Sequence, residues 1–255
     1  MTVHHQLVGE LIEGIFAVET LEQQYAIFNN IVQRLGFESS AYTFIPNVVL
    51  ETDLDYPPVF IKSDAFSDSF IEQYVADRFD EHDFTIRAAK DDKLFPMDWQ
   101  ESIQSDYLTE PEKNVLVLAK EEHGIQHGIT VPVMNEAAGI AGFSITNTLP
   151  DRNFDLLKQE NIATLRLCTK AFNDIVFARP YRYHEFIPHS LRNLREKELI
   201  VLEFVLQGRS MAELGRSREP ISKKYGENLL LELKKKFGGV STHELIRHVV
   251  QLQII

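Results

Sequence analysis

The chain has 255 residues, a net charge of −12, 44% hydrophobic residues and 25% charged residues. This length suits one large domain or two ordinary ones, and the composition is typical of globular rather than disordered or fibrous proteins. The sequence contains no run of about 18 apolar residues, so we expect no membrane span. The acidic N-terminal stretch does not resemble a signal peptide. The one cysteine, Cys168, lies in an apolar helical stretch, and we predict a cytoplasmic protein with a buried structural thiol.

The charge is divided unevenly along the chain. The residues from Pro188 onward carry 12 Lys and Arg against 8 Asp and Glu, a net charge of +4, so the preceding part carries −16. Such asymmetry indicates two parts with different partners. The basic part is the candidate for binding a polyanion such as nucleic acid.

Helical and strand patterns alternate in the first 177 residues. Apolar residues at helical spacing predict helices, and short β-prone runs bounded by Pro, Asp, Ser or Gly predict strands. Helices set before and after the strands predict an α+β domain, an α/β/α sandwich in which helices cover the sheet. The predicted helices are 20–36, 68–83, 109–124 and 151–178, and the predicted strands are 39–49, 57–63, 128–134 and 139–147.

A second, all-helical part is predicted after a linker. Residues 178–190 contain two prolines and no clear periodicity, as linkers do. Four short helical segments follow, and three begin with a polar residue that precedes a Glu by three positions, the capping-box spacing. These pairs are Asn193/Glu196, Ser210/Glu213 and Ser241/Glu244. We therefore predict a first domain at 1–177, a linker at 178–190 and a four-helix domain at 191–255.

The third of these helical segments concentrates lysines. Several short helices with one basic helix fit a helix-turn-helix module, in which one helix enters a groove of DNA. The lysines would neutralise phosphates, and polar side chains in the N-terminal half would reach base edges. The alternative is an ordinary solvated helix face. The candidate DNA-binding residues are Ser222, Lys223, Lys224, Tyr225, Asn228 and Lys234.

The C-terminal part resembles the DNA-binding domain of the LuxR family. Its matches to the family pattern are Arg195 to Glu198, Gly208, Ser210, Glu213, Leu214, Ile221 and Ser222. Three features depart from that pattern: an apparent one-residue insertion within 215–220, Gly226 in place of a usual valine, and Glu227 at a commonly basic position. The resemblance implies a homodimer on an inverted-repeat DNA site, with dimer contacts from the helix at 151–178 and from the last helix.

The first domain resembles the acyl-homoserine-lactone-binding domain of quorum-sensing regulators in that family. The family's signature of Trp, Tyr, Asp, Pro, Trp and Gly falls on Phe70, Tyr74, Asp83, Phe84, Trp99 and Gly128, with four matches and two changes. The resemblance implies that Asp83 accepts a hydrogen bond from the amide N–H of the signal, while Tyr74 and Trp99 line the pocket. From local sequence alone, Asp83 also fits a helix-terminal aspartate, and both aromatic residues fit a plain core.

The changes at the head-group end of this pocket are informative. The resemblance implies that a Trp and a Tyr there donate to the two carbonyls of the lactone signal, but this chain has Phe70 and Phe66, which donate nothing. Each unpaired carbonyl costs about 1–3 kcal/mol. Three outcomes stay open: a lactone bound through other donors such as Ser144, Thr85 or water, a less polar signal, or a site filled by its own aromatic residues.

The sequence favours no enzyme. It contains no nucleophile-elbow, phosphate-loop or dinucleotide-binding motif. His123 and His127 have the spacing of a metal-binding pair, but glycines interrupt any helix there and no third ligand lies nearby, so we expect no metal site, no catalytic residue and no cofactor.

These patterns together predict a ligand-responsive, DNA-binding transcription regulator of the LuxR quorum-sensing type. Its expected partners are an inverted-repeat promoter site, a second copy of the chain, and an acyl-homoserine lactone or related small apolar signal. The alternative is a homologue that does not bind DNA and instead sequesters a related regulator in a heterodimer. The departures around the third C-terminal helix motivate that alternative.

Overall fold

The computed structural model describes residues 3–216 and 221–255, which form α-helices and one five-stranded sheet. The strands are β1 (Ser39–Pro46), β2 (Val59–Lys62), β3 (Met97–Asp98), β4 (His127–Glu136) and β5 (Gly139–Asn147). The helices are α1 (Val3–Ala17), α2 (Leu21–Arg34), α3 (Asn47–Leu50), α4 (Asp68–Ala76), α5 (Phe84–Lys90), α6 (Trp99–Ile103), α7 (Glu110–Glu121), α8 (Asp151–Phe177), α9 (His189–Arg192), α10 (Glu196–Leu206), α11 (Lys223–Lys236) and α12 (Thr242–Gln251). Short 3₁₀ helices cover Phe79–His82, Arg182–Glu185 and Met211–Arg216.

The sheet has the strand order β2-β1-β5-β4-β3. β1 pairs antiparallel with β2, where Tyr42 lies opposite Ile61, and β3 pairs antiparallel with β4, where Met97 lies opposite Thr130. Four of the five strands lie within or across the predicted runs, and the two-residue β3 was not predicted. Two residues carry too little alternation to produce a sequence signal.

One face of the sheet is covered by α1, α2 and α8, which pack against one another and bury an aromatic layer. The ring of Phe28 on α2 lies 4.4 Å from that of Phe143 on β5 and 5.2 Å from that of Phe172 on α8. Tyr42 on β1 joins the same layer, with its ring 4.8 Å from that of Phe143. Burial of these rings supplies the core of this layer.

The opposite face of the sheet carries a second apolar cluster. Successive residues of a strand point to opposite faces, so Ala41 faces this cluster while Tyr42 faces the first layer. The cluster is built mainly by α4 to α7 and contains Phe66, Phe70 and Trp99. A sheet between two helical layers confirms the predicted α+β class of the first domain.

Helix termini follow the predicted capping boxes with one exception. The predicted pair Ser241 and Glu244 caps α12 reciprocally, and Thr109 and Glu112, which have the same spacing in the sequence, cap α7 in the same way. The predicted Asn193/Glu196 pair is wrong, because α10 begins two residues later. There the backbone N–H of Arg195 donates to Glu198 at 2.7 Å, while Asn193 ends α9.

The chain divides into two compact units. The first comprises Met1–Phe44, Pro57–Glu136 and Ile140–Arg179, and the second comprises Ile45–Tyr56, Ala137–Gly139 and Pro180–Ile255. The predicted domain and linker boundaries remain predictions. The stretch predicted as linker contains a 3₁₀ helix and the start of α9, and it buries Phe186 completely.

Two further predictions concern the thiol of Cys168 and the membrane. Cys168 on α8 is fully buried, as expected, and burial raises the pKa of its thiol to about 12. Within residues 3–216 and 221–255, the structure contains no helix long and apolar enough to cross a membrane.

Candidate functional site

An aromatic wall runs along α4 and the residue pair that precedes it. Phe66, Phe70 and Tyr74 recur at four-residue spacing, which places their side chains on one face, and all three are buried. The rings of Phe66 and Phe70 lie 6.4 Å apart, and those of Phe70 and Tyr74 lie 5.9 Å apart. Trp99, 6.4 Å from Phe70, completes what we call the aromatic wall: Phe66, Phe70, Tyr74 and Trp99.

Asp83 brings a carboxylate to the end of this wall. Its Oδ1 accepts from the backbone N–H of Thr85 at 2.7 Å and from the Thr85 hydroxyl at 2.6 Å, which caps α5. Its Oδ2 accepts from the hydroxyl of Tyr74 at 2.8 Å. Asp83 is therefore both a helix cap, as its local sequence allowed, and a part of the predicted site. A carboxylate oxygen has two lone pairs, so Oδ2 retains capacity for one more donor.

The hydroxyl of Tyr74 is held in its neutral form. Burial raises the pKa of Tyr74 well above its ordinary value, and the nearby Asp83 carboxylate raises it further. Tyr74 therefore acts as a hydrogen-bond donor to Asp83 throughout the physiological range.

The opposite end of the wall is fixed by strands β4 and β5. The indole Nε1 of Trp99 donates to the hydroxyl of Thr130 at 2.9 Å, and that hydroxyl lies 3.2 Å from the hydroxyl of Ser144. A Cβ on Gly128 would overlap the Trp99 ring, so glycine there allows the indole to lie flat on β4. Gly128 and Thr130 share a strand face by their two-residue spacing.

The structure thus brings all seven predicted ligand-site residues into one region. Sequence reasoning missed Thr130, although its position two residues after Gly128 on a predicted strand was an available signal.

The two histidines weighed as a metal pair lie in separate surroundings. His123 contacts Gln73 and the hydroxyl of Ser69, while the Nε2 of His127 lies 2.9 Å from the carbonyl of Leu149. Among the residues that the structure describes, no group of three His, Cys, Asp or Glu side chains is arranged to hold a metal ion.

The predicted DNA-binding residues lie on α11. Ser222 caps this helix, accepting from the backbone N–H of Tyr225 at 3.3 Å, and Lys223 pairs with Glu227 at 3.7 Å. Leu229, Leu233 and Phe237 are buried, and the face opposite to them is exposed. The outward stripe, at spacings of three and four, is Lys224, Asn228, Leu231 and Lys235. Leu231 and Lys235 of this stripe were not among the predicted residues, and Lys234 lies half-buried beside the stripe.

Gly226 has a packing explanation. It is buried on the inner face of α11, and a Cβ there would overlap the side chain of Leu214 in the preceding 3₁₀ helix. The missing side chain therefore lets the two helices approach closely. Most of the predicted insertion, residues 217–220, lies outside the described residues.

A sheet with helices on both faces and a buried aromatic wall that ends in a carboxylate defines an α+β sandwich domain. Residues 20–176, more than half of the chain, match the autoinducer-binding domain family, and the chain belongs to that family. This family is one of signal-binding domains. Curated protein sequences give no match to the chain.

Solved structures share this fold at low identity. Escherichia coli SdiA matches with a TM-score of 0.55 and 15% identity over 98% of this chain and 99% of its own. SdiA in complex with octanoyl-rac-glycerol matches with a TM-score of 0.58 and 16% identity over 99% and 96%. CepR2 from Burkholderia cenocepacia, an N-acylhomoserine lactone-dependent LuxR-family transcription factor, matches with a TM-score of 0.52 and 14% identity over 69% and 98%.

Proposed function

We propose that this protein is a signal-responsive transcription regulator that binds a small apolar ligand along the aromatic wall and DNA through α11. The observation that carries the proposal is the Asp83 carboxylate, held by Tyr74 and Thr85 at the end of an otherwise apolar wall. A half-buried carboxylate so placed orients a ligand that is mostly hydrocarbon.

The proposed ligand donates rather than accepts hydrogen bonds at this end. Phe66 and Phe70 offer no donor, and the Tyr74 and Thr85 hydroxyls already donate to Asp83. A lactone carbonyl would find no partner among these residues, whereas an amide N–H or a hydroxyl would pair with Asp83. The acylglycerol bound to SdiA carries hydroxyls and an apolar chain, so this class of molecule is our first candidate.

Fluorescence titration tests ligand binding, because Trp99 is the only tryptophan in the sequence. We expect octanoylglycerol to change the Trp99 emission, and Asp83→Asn to weaken binding about tenfold, since asparagine keeps the helix cap but loses the charged acceptor. Asp77→Asn, an exposed change in the same acidic run, is the matched control. Unchanged affinity in Asp83→Asn would remove Asp83 from the site.

The DNA-binding half of the proposal rests on the outward stripe of α11. Two lysines flank Asn228 and Leu231 on that stripe, an arrangement that suits phosphate contacts around a base-reading centre. Selection from a random duplex library should yield an inverted repeat, in keeping with the proposed homodimer. Lys235→Ala should reduce the slope of log affinity against log salt by about 0.9 per half-site, and Lys170→Ala on α8 should leave it unchanged.

The sequestering homologue is the second candidate. Glu227 lies on the exposed side of α11 and pairs with Lys223, which removes net positive charge from the helix. A mobility-shift assay distinguishes the two candidates. If the protein shifts no DNA duplex even at low salt, while the chain forms mixed dimers with a related regulator, the sequestering function replaces DNA binding.

A further inference from the structure

Lys158 lies on α8 beside acidic groups that belong to the start of α6. Its Nζ donates to Oδ2 of Asp98 at 2.7 Å and to Oε1 of Glu101 at 2.6 Å, and Oδ1 of Asp155 lies 3.7 Å away. The side chains of Lys158 and Asp98 are only 18% and 7% exposed. An ion pair so shielded from water is stronger than a surface pair.

Asp98 uses its two oxygens for different tasks. Oδ1 accepts from the backbone N–H groups of Gln100 and Glu101 at 2.8 and 3.0 Å, which caps α6, while Oδ2 binds Lys158. The first residue of α6 is Trp99. The ion pair therefore fixes the backbone that carries the indole of the aromatic wall.

A second contact with α8 lies on the other side of the same indole. Gly128, on which the Trp99 ring lies, follows His127, and the His127 ring stacks on Phe154 of α8 at 4.2 Å and 10°. Phe154 and Lys158 are four residues apart and so share a face of α8. Two residues next to the indole therefore connect to one face of α8. Asp98, which precedes Trp99, bonds Lys158, and Gly128, on which the ring lies, follows the His127 that stacks on Phe154.

Lys158 is protonated, and so positively charged, at neutral pH. Burial alone would lower the pKa of Lys158, but the hydrogen bonds to Asp98 and Glu101 raise it above that of an ordinary lysine. The ion pair is therefore present throughout the neutral range.

We propose that Lys158 is a positioning residue for Trp99: through Asp98 it holds the indole in the aromatic wall and makes that part of the wall move with the first turns of α8. Because the family resemblance implies that α8 is a dimer contact, this connection would carry the signal's effect from the wall to the dimer. The ligand part of this inference rests on the proposed function.

The first test needs no ligand. We expect Lys158→Met to shift the Trp99 emission to longer wavelength and to expose the indole to acrylamide quenching, because α6 is no longer held against α8. Lys158→Arg should restore the wild-type spectrum, since arginine preserves the ion pair. Lys170→Met is the matched control, because Lys170 pairs with Asp174 on the same helix and both side chains are 52% exposed.

A second variant covers the case in which Lys158→Met does not fold. Asp98→Asn keeps the N-cap of α6, since asparagine caps as well as aspartate, but removes the shielded Lys158–Asp98 ion pair and leaves Lys158 paired with the exposed Glu101. It should give the same red shift, and adding Lys158→Met to it should produce little further change. An unshifted Trp99 spectrum in folded Asp98→Asn would overturn the positioning role.

The second test adds octanoylglycerol and measures both affinity and dimer content. Lys158→Met should bind about tenfold more weakly, because the indole is no longer held in place before the ligand arrives, and its dimer content should no longer respond to the ligand. Wild-type affinity together with a wild-type dimer response in Lys158→Met would overturn the connection to α8. If the wild-type protein itself does not bind, the proposed ligand fails, and the positioning role is still decided by the ligand-free spectra.

Discussion

Phe66 and Phe70 carry no hydrogen-bond donor. They lie where the two carbonyls of a lactone signal would need donors. We predict that the double variant Phe66→Tyr, Phe70→Trp gains about tenfold in affinity for N-octanoyl homoserine lactone, since each new hydrogen bond contributes about 0.5–1.5 kcal/mol and some of that gain is lost to overpacking. Isothermal titration calorimetry measures this directly, because the added tryptophan complicates fluorescence.

The control for that gain is a hydroxyl added elsewhere in the same apolar cluster. Phe79 is buried there, and its ring lies 5.9 Å from that of Tyr74. Phe79→Tyr should leave lactone affinity unchanged. An equal gain from Phe79→Tyr would mean that any added hydroxyl suffices and that the head-group end is not at Phe66 and Phe70.

Gly226 on α11 packs closely against the side chain of Leu214. We predict that Gly226→Ala destabilises the second unit by about 1 kcal/mol, because overpacking against Leu214 costs about 1–3 kcal/mol and outweighs the roughly 1 kcal/mol gain in helix propensity. Denaturant unfolding of the full chain measures the change. In the background of Leu214→Ala the same substitution should be neutral or stabilising, and a fully additive pair of effects would contradict the proposed contact.

At the scale of the element, α12 contains a buried histidine with a predictable pH dependence. Burial, reinforced by Arg247, lowers the pKa of His248, while Glu51 and Glu244 act in the opposite direction. The folded state therefore resists protonation. The contribution of neutral His248 to the free energy of unfolding is therefore complete above the unfolded-state pKa of about 6.5. It is lost as the pH falls below that value.

We expect the free energy of unfolding to decrease between neutral pH and about pH 5, and His248→Gln to flatten that decrease because glutamine does not titrate. Chemical denaturation at a series of pH values measures the difference between the two proteins. The carboxylates with lowered pKa, among them Glu112 and Glu198, act at lower pH, so they do not obscure this window. Parallel curves for the two proteins would show that His248 is not the group responsible.

Elements with strong local signals were predictable, and contacts between elements were not. The 27-residue α8 shows an apolar stripe over its full length, so its bounds agree with the predicted helix to within one residue. The start of α10 was misplaced because Asn193 and Arg195 both precede a glutamate by three residues, and only the structure shows that Arg195 is the cap. Asp83 came from the family pattern, but Thr130 and Lys158 matter only through partners 31 and 60 residues away in sequence.

At the scale of the whole molecule, the second unit is discontinuous in sequence. Residues Ile45–Tyr56 belong to it together with Pro180–Ile255. Glu51 pairs with Arg247 of α12, the hydroxyls of Tyr56 and Ser190 lie 2.7 Å apart, and Thr52 packs against Gly238. Composition and linker signals locate a boundary along the chain, so they could not reveal a unit assembled from separate segments.

This arrangement predicts that Glu51→Ala loosens α12 although the two are about 200 residues apart. Both partners are 38% exposed, so we expect a loss of only about 0.5 kcal/mol, seen as faster hydrogen exchange of the α12 amides. Glu203→Ala, an exposed change on α10 of the same unit, is the control. Unaltered exchange in Glu51→Ala would show that the segment does not support α12.

The buried thiol of Cys168 has a practical consequence. Because Cys168 has no exposed surface and burial raises its pKa to about 12, we expect it not to react with maleimides at neutral pH. Cysteines introduced on the surface can therefore be labelled selectively in an otherwise wild-type chain. Pairs of spin labels or dyes, one in each unit, would then follow the response of the native protein to added signal molecules in solution.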